Sequence, residues 1–271
     1  MQRRPLLGFF VLAYAGSWIC WLPALLGQNG IGLLPYRLPL GVSIAFNQVA
    51  LFAGPFLASI VMSKLTEGSL REWLSRLGRW RAPLWTYVIS LVAIPAAIVV
   101  SILLLTPVSG EPQLAGPAAV VAPVIMFVAY FIGGPLQEEP GWRGYALPRM
   151  QAFLSPLVAA VALGVVWGLW HLPQFLIDEW ETPHRAPADV AAFVLFAVGA
   201  SVLMSWVTNL GHGSVLLAML AHNALNWILT VWPLLTGRVV TDLWPAAAAL
   251  LCLAVVAAVV TGGRLGLPRS R

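Results

Sequence analysis

The sequence predicts an all-α membrane bundle of about eight transmembrane helices, N-in and C-in, and three observations carry that expectation. Of its 271 residues, 60% are hydrophobic and only 9% are charged, against about 25% charged in soluble domains. Lipid is therefore the main solvent. A bilayer core of about 30 Å takes roughly 20 apolar residues per helix. Eight such runs, near 6–26, 44–64, 84–106, 117–138, 156–176, 188–209, 214–235 and 244–261, are separated by charge or by Gly and Pro. Finally, with the N-terminus in the cytoplasm, only Arg37, Arg185 and Arg238 of the 15 Lys and Arg residues fall outside, the asymmetry that the positive-inside rule describes.

The spans leave no room for a soluble domain, so residues 1–271 read as one integral membrane domain. Arg3 and Arg4 before an apolar stretch with Ala13-Tyr14-Ala15 imitate a signal peptide, but the run is longer than a typical h-region and reads as a retained anchor. Cys20 and Cys252 fall in the first and last spans, with neither the number nor the spacing of a disulfide framework or a zinc knuckle. The net charge of +5 follows from topology and contact with anionic headgroups. It excludes a nucleic-acid partner, because no soluble basic domain exists to hold one. The acidic residues Asp178, Glu179 and Glu181 fall outside. Between spans two and three, residues 66–82 place Trp73, Leu77 and Trp80 on one face and arginines on much of the rest. That is the pattern of a short helix lying in the interface as an anchor with no active role.

An ionisable residue inside a span costs on the order of 3 kcal/mol and asks for a partner or a function. Three stretches hold such residues: Gln137-Glu138-Glu139-Pro140-Gly141-Trp142-Arg143 at the end of span four, Trp167-Gly168-Leu169-Trp170-His171 in span five, and His222-Asn223-Ala224-Leu225-Asn226 in span seven. Glu139 and Arg143 are four apart and stack as an ion pair if the helix persists past Pro140, while Glu138 points about 100° away and stays available. His222, Asn226 and Thr230 form a polar stripe at the same spacing. A carboxylate, two imidazoles and a carboxamide suffice for water activation and oxyanion stabilisation, the needs of amide hydrolysis. His184 and His212 lie in loops and take no role. For Asn47 and Gln48, contact between helices is favoured over lining the same cavity.

Glu-Glu-x-x-x-Arg, then aromatic-x-x-x-His, then His-x-x-x-Asn, on successive polar spans, resembles the CPBP (CAAX prenyl endopeptidase and bacteriocin-processing, or Abi) intramembrane proteases. The resemblance covers residues of about 130–230 and implies a catalytic core at 117–235. It implies that Glu138 activates water, with Glu139 and Arg143 as its supports, His171 as a second water-positioning or ligating group, and His222 and Asn226 as stabilisers of the oxyanion. The family's second motif commonly opens with Phe; Trp167 stands there, a change expected to alter packing only.

Two readings of the water follow. Glu138 activates it alone, the favoured reading, or Glu138, His171 and His222 hold a divalent zinc with an open position, although no His-Glu-x-x-His pair brings two ligands to one face. His171 lies fifteen residues into span five, about 22 Å along a helix, whereas Glu138 lies near the cytoplasmic end of span four. A fourth helix that continues past Glu139 into the cytoplasm, beside a cavity open on that side, would reconcile them. The expected protein is a multi-pass endopeptidase of a bacterial inner membrane, in contact with lipid and a peptide or protein substrate of unknown identity. The alternative is a non-catalytic scaffold or a bacteriocin-immunity-type protein.

Overall fold

The computed structural model describes residues 3–105, 110–178, 186–238 and 242–268, and every regular element among them is helical. In chain order the helices are α1 (Arg3–Leu26), α2 (Leu40–Thr66), α3 (Arg71–Leu77), α4 (Leu84–Leu105), α5 (Ala118–Gln151), α6 (Pro156–Leu176), α7 (Pro187–Leu210), α8 (Val215–Thr236) and α9 (Trp244–Thr261). Among the described residues all but α3 are long and apolar enough to cross a membrane, which gives the eight spans expected. Glu179, Trp180, Glu181, His184, Arg185, Arg269 and Arg271 lie outside the described residues. Arg37 and Asp178, both assigned to the outer side, meet at 3.5 Å, so the loops after α1 and α6 share one end of the bundle.

Two spans are interrupted where the sequence cannot continue a regular helix. In α2 a π-turn at Phe52–Phe56 contains Gly54 at φ −79°, ψ −111°, followed by Pro55. In α5 the first segment ends at Gly133, and Gly134 adopts φ −152°, ψ −88°. Pro135 disfavours helical geometry in the residue before it, and it occupies the first position of the next segment, where its missing N–H is no loss. The segment beyond the α5 break packs on the α2 break, because Gly141 of α5 lies against the Pro55 backbone of α2. A Cβ at position 141 would sit 2.4 Å from the Pro55 carbonyl oxygen.

Beyond the break, α5 runs on past Glu139 as expected, but not as a segment projecting from the bundle. Between Glu138 and Met150 every residue except Pro148 is buried. This arm turns at 152–155, and α6 returns alongside it, packed on the segments at Trp142–Ala146 and Leu147–Gln151. The hairpin removes the depth problem. Glu138 lies thirteen residues before the arm ends at Gln151 and Trp167 eleven residues after α6 begins at Pro156, so the two come level across it.

The orientation N-in and C-in gives a direct test. A cysteine replacing the exposed Ser69, between α2 and α3, should be modified by a membrane-impermeant maleimide only when the cytoplasmic face is open, and one replacing the exposed Glu111 only from the outer face. The reverse pattern would invert the protein in the membrane.

Candidate active site

Three helices bring the polar stretches together, and the segment carrying both glutamates is buried. Glu139 is fully buried, and one Arg143 guanidinium nitrogen, Nη1, lies 3.0 Å from both of its carboxylate oxygens, with hydrogen-bond geometry to Oε1. This is the i,i+4 pair expected from spacing, and it forms because the helix survives Pro140. On α8, His222 Nδ1 lies 2.8 Å from Glu139 Oε1. A carboxylate only accepts, so Nδ1 is the donor and Nε2 is the ring nitrogen directed elsewhere. Glu139 thus binds Arg143 within α5 and His222 across the bundle.

Glu138 is not left unengaged as its angular offset suggested. Its Oε2 accepts a 2.7 Å hydrogen bond from the indole Nε1 of Trp167, which fixes that oxygen and leaves Oε1. This corrects the expectation that Trp167 in place of Phe changes packing alone, since a phenyl ring has no such donor. The indole is also a wall for the other groups. The His222 ring stands edge-on at 5.1 Å, the His171 ring at 5.8 Å, and the Arg143 guanidinium lies 5.0 Å from its centroid. The sequence signal that could have found this role was the departure itself.

His171 is the C-cap of the α-helical part of α6, which ends at Trp170, and the chain tightens after it into a 3₁₀ turn at Leu172–Leu176. Its Nδ1 lies 2.9 Å from the Trp167 carbonyl oxygen. A carbonyl only accepts, so the proton is on Nδ1 and Nε2 presents a lone pair. His171 and His222 are both nearly buried, at 7% and 3% exposed, as is Glu138 at 4%. Asn226, one turn beyond His222, is half-buried. A side chain grown on Gly134 would reach within 3.5 Å of its Nδ2, so the carboxamide lies against the break in α5, one turn ahead of Glu138. Among the described residues no three His, Cys, Asp or Glu side chains are grouped to hold an ion.

Two further polar residues reach the site's rim. Gln48 of α2 donates to the Gly133 carbonyl at 3.2 Å and accepts from Gln137 at 3.0 Å, satisfying groups that the break at Gly134 strands. Asn47 Oδ1 accepts from Gln174 at 2.7 Å and from Trp21 at 2.9 Å. Both residues act as contacts between helices, as favoured from sequence, but the contacts they make are the ones that hold α5 and the end of α6 around Glu138.

The buried pair generates a stability prediction. Removing one partner of a buried ion pair costs about 3–5 kcal/mol because the other charge is left uncompensated. Glu139→Gln, which strands Arg143, should therefore lower the unfolding temperature in detergent, while Glu72→Gln, which breaks the exposed pair with Arg76, should leave it unchanged. Equal unfolding temperatures for both variants would mean that Glu139 bears no structural load.

Residues 120–228 match the model of the type II CAAX prenyl endopeptidase Rce1-like family. Over 194 residues, 69% of this chain and 72% of the relative, the sequence is 24% identical to the CAAX prenyl protease 2 of Methanococcus maripaludis. The family match spans all six candidate residues, and both likenesses support the resemblance to the CPBP intramembrane proteases.

Proposed function

We propose that the protein is an intramembrane endopeptidase that hydrolyses a peptide bond of a membrane-associated or lipidated substrate with a water activated by Glu138. The observation that carries this reading is the anchored Glu138 carboxylate beside two imidazoles whose Nδ1 atoms are each committed to a protein acceptor. Packing between helices alone does not require a carboxylate and two imidazoles gathered around one indole.

In this mechanism Glu138 takes a proton from water as its oxygen attacks the scissile carbonyl carbon, and the Nε2 lone pair of His171 orients the water's other hydrogen. Negative charge develops on the carbonyl oxygen. His222, held at Nδ1 by Glu139, and the Asn226 carboxamide are the groups that stabilise that oxygen. Glu138 then returns its proton to the leaving amine as the C–N bond breaks, yielding a carboxylic acid and an amine. The matched family's substrates suggest a lipidated C-terminus, while the Ala- and Arg-rich, Lys-poor composition favours a bacterial inner membrane, where a peptide precursor or a regulatory membrane protein fits better.

Detergent-solubilised protein incubated with a peptide library and read by mass spectrometry should cut at a defined bond. Glu138→Gln should abolish the cut. Asn226→Ala should retain a trace, since one oxyanion donor is worth roughly 10²–10³ in rate. Near-parental activity of both variants would refute the assignment, and no cleavage by the parent across the library would leave the scaffold or immunity-type reading.

Trp167 offers an independent check on Glu138. Trp167→Phe keeps a ring against both imidazoles but removes the donor to a charged acceptor, a bond of about 1.5–3 kcal/mol. The turnover number should fall by about tenfold or more while the parental cleavage site is kept. An unchanged turnover number would show that the bond to Glu138 has no part in the reaction.

A further inference from the structure

The short amphipathic helix α3 is expected from sequence to be a passive surface anchor, but its inner face is bonded to the segment that carries Glu139 and Arg143. Trp73, 4% exposed, donates from its indole Nε1 to the Pro140 carbonyl at 3.0 Å. One turn later Arg76 donates from Nη1 to the Gly144 carbonyl, also at 3.0 Å. The two carbonyls bracket Arg143. Trp80, by contrast, is 63% exposed, so the face predicted for membrane contact is split between the protein interior and the surface.

These two carbonyls lie where the helix is least able to hold its own shape. Residues Trp142–Ala146 form a π-turn, and Pro148, with no N–H, cannot donate to the Gly144 carbonyl one turn before it. Pro140 likewise cannot donate to Leu136. A buried carbonyl without a donor is costly, and more so in a lipid environment, so the path of the segment depends on donors from outside it. The connection after α3 is fastened in turn to the start of α8. Ser214, the N-cap of α8, donates its hydroxyl to the Arg79 carbonyl at 2.5 Å, and Arg79 reaches the His212 carbonyl. α3 therefore spans between the helix carrying Glu139 and the helix carrying His222.

We infer that Trp73 and Arg76 are positioning residues. Through the Pro140 and Gly144 carbonyls they set the path of the α5 arm, and so hold the Glu139–Arg143 pair in register with His222 and the reaction centre. The catalytic part of this inference rests on the proposed endopeptidase reading. The structural part does not.

The test uses the full-length protein and three substitutions. Trp73→Phe removes only the indole donor and keeps a ring against Phe56, its edge-on neighbour at 5.7 Å. Arg76→Gln removes the guanidinium donor. Glu72→Gln breaks the exposed ion pair with Arg76 but leaves both carbonyl bonds intact. Each of the first two should lower kcat by about tenfold, the order expected for one stranded buried carbonyl, with KM changed less than about twofold. Arg76→Lys should recover most of the lost rate, and Glu72→Gln should match the parent. Amide hydrogen exchange across residues 139–147 should be faster in Trp73→Phe and Arg76→Gln. A kcat unaltered in both, or lowered equally by Glu72→Gln, would overturn the role. If the parent cleaves no peptide, the endopeptidase reading fails while the exchange measurement still decides. Faster exchange then supports the positioning of the arm, and unaltered exchange overturns it.

Discussion

The buried Glu139 carboxylate is the interaction on which the rest of the site depends. It is fully buried in the bundle, and a guanidinium from its own helix and an imidazole from α8 compensate it there. Taken singly, any of the three groups would be expensive to bury. Together they join two helices that are distant in sequence, and they fix the ring orientation of His222 by occupying Nδ1. The geometry at Glu138, one residue earlier and about 100° round the same turn, is therefore inherited from its neighbour.

A second constraint is the backbone of α5. Membrane interiors tolerate irregular backbone only where protein groups re-satisfy the stranded amides and carbonyls. α5 contains Gly134-Pro135, Pro140, a π-turn and Pro148 within a span of fifteen residues. Each irregularity is met from outside: Gln48 at Gly133, Trp73 at Pro140 and Arg76 at Gly144. α2 and α3 serve less as generic spans and loops than as suppliers of donors to a helix that cannot supply its own. The contact of Gly141 on the Pro55 backbone belongs to the same arrangement, since a close approach of two interrupted helices brings those donors within reach.

Much of this was legible in the sequence, and the parts that were not have physical reasons. The eight spans follow from run length. The Glu139–Arg143 pair follows from i,i+4 spacing, and the functional pairing of α5, α6 and α8 from where ionisable residues occur at all. What spacing could not show is contact across the bundle. Trp167 lies 29 residues from Glu138, and its indole N–H is invisible to a reading that scores aromatic residues by size. The α3 segment was misread for a related reason. Periodicity places Trp73, Leu77 and Trp80 on one face, but it cannot say that Trp73 would turn toward the carbonyl of Pro140, 67 residues away. The helical segment is also only seven residues long, ending at Leu77 before Trp80 is reached.

The hairpin formed by the α5 arm and α6 explains why these groups converge. A helix crossing the bilayer once would carry Glu138 to one face and leave His171, fifteen residues along the next helix, near the other. By continuing as a buried arm after Gly134 and reversing at 152–155, the chain makes the two helices antiparallel over the same stretch, with Glu138 level with Trp167. The Trp167 carbonyl, one turn before His171, then orients that imidazole, and its indole orients Glu138. One residue thus sets the direction of both groups assigned to the water. A substitution there would act on the relation between the two groups, whereas the same change elsewhere on α6 would act on packing alone.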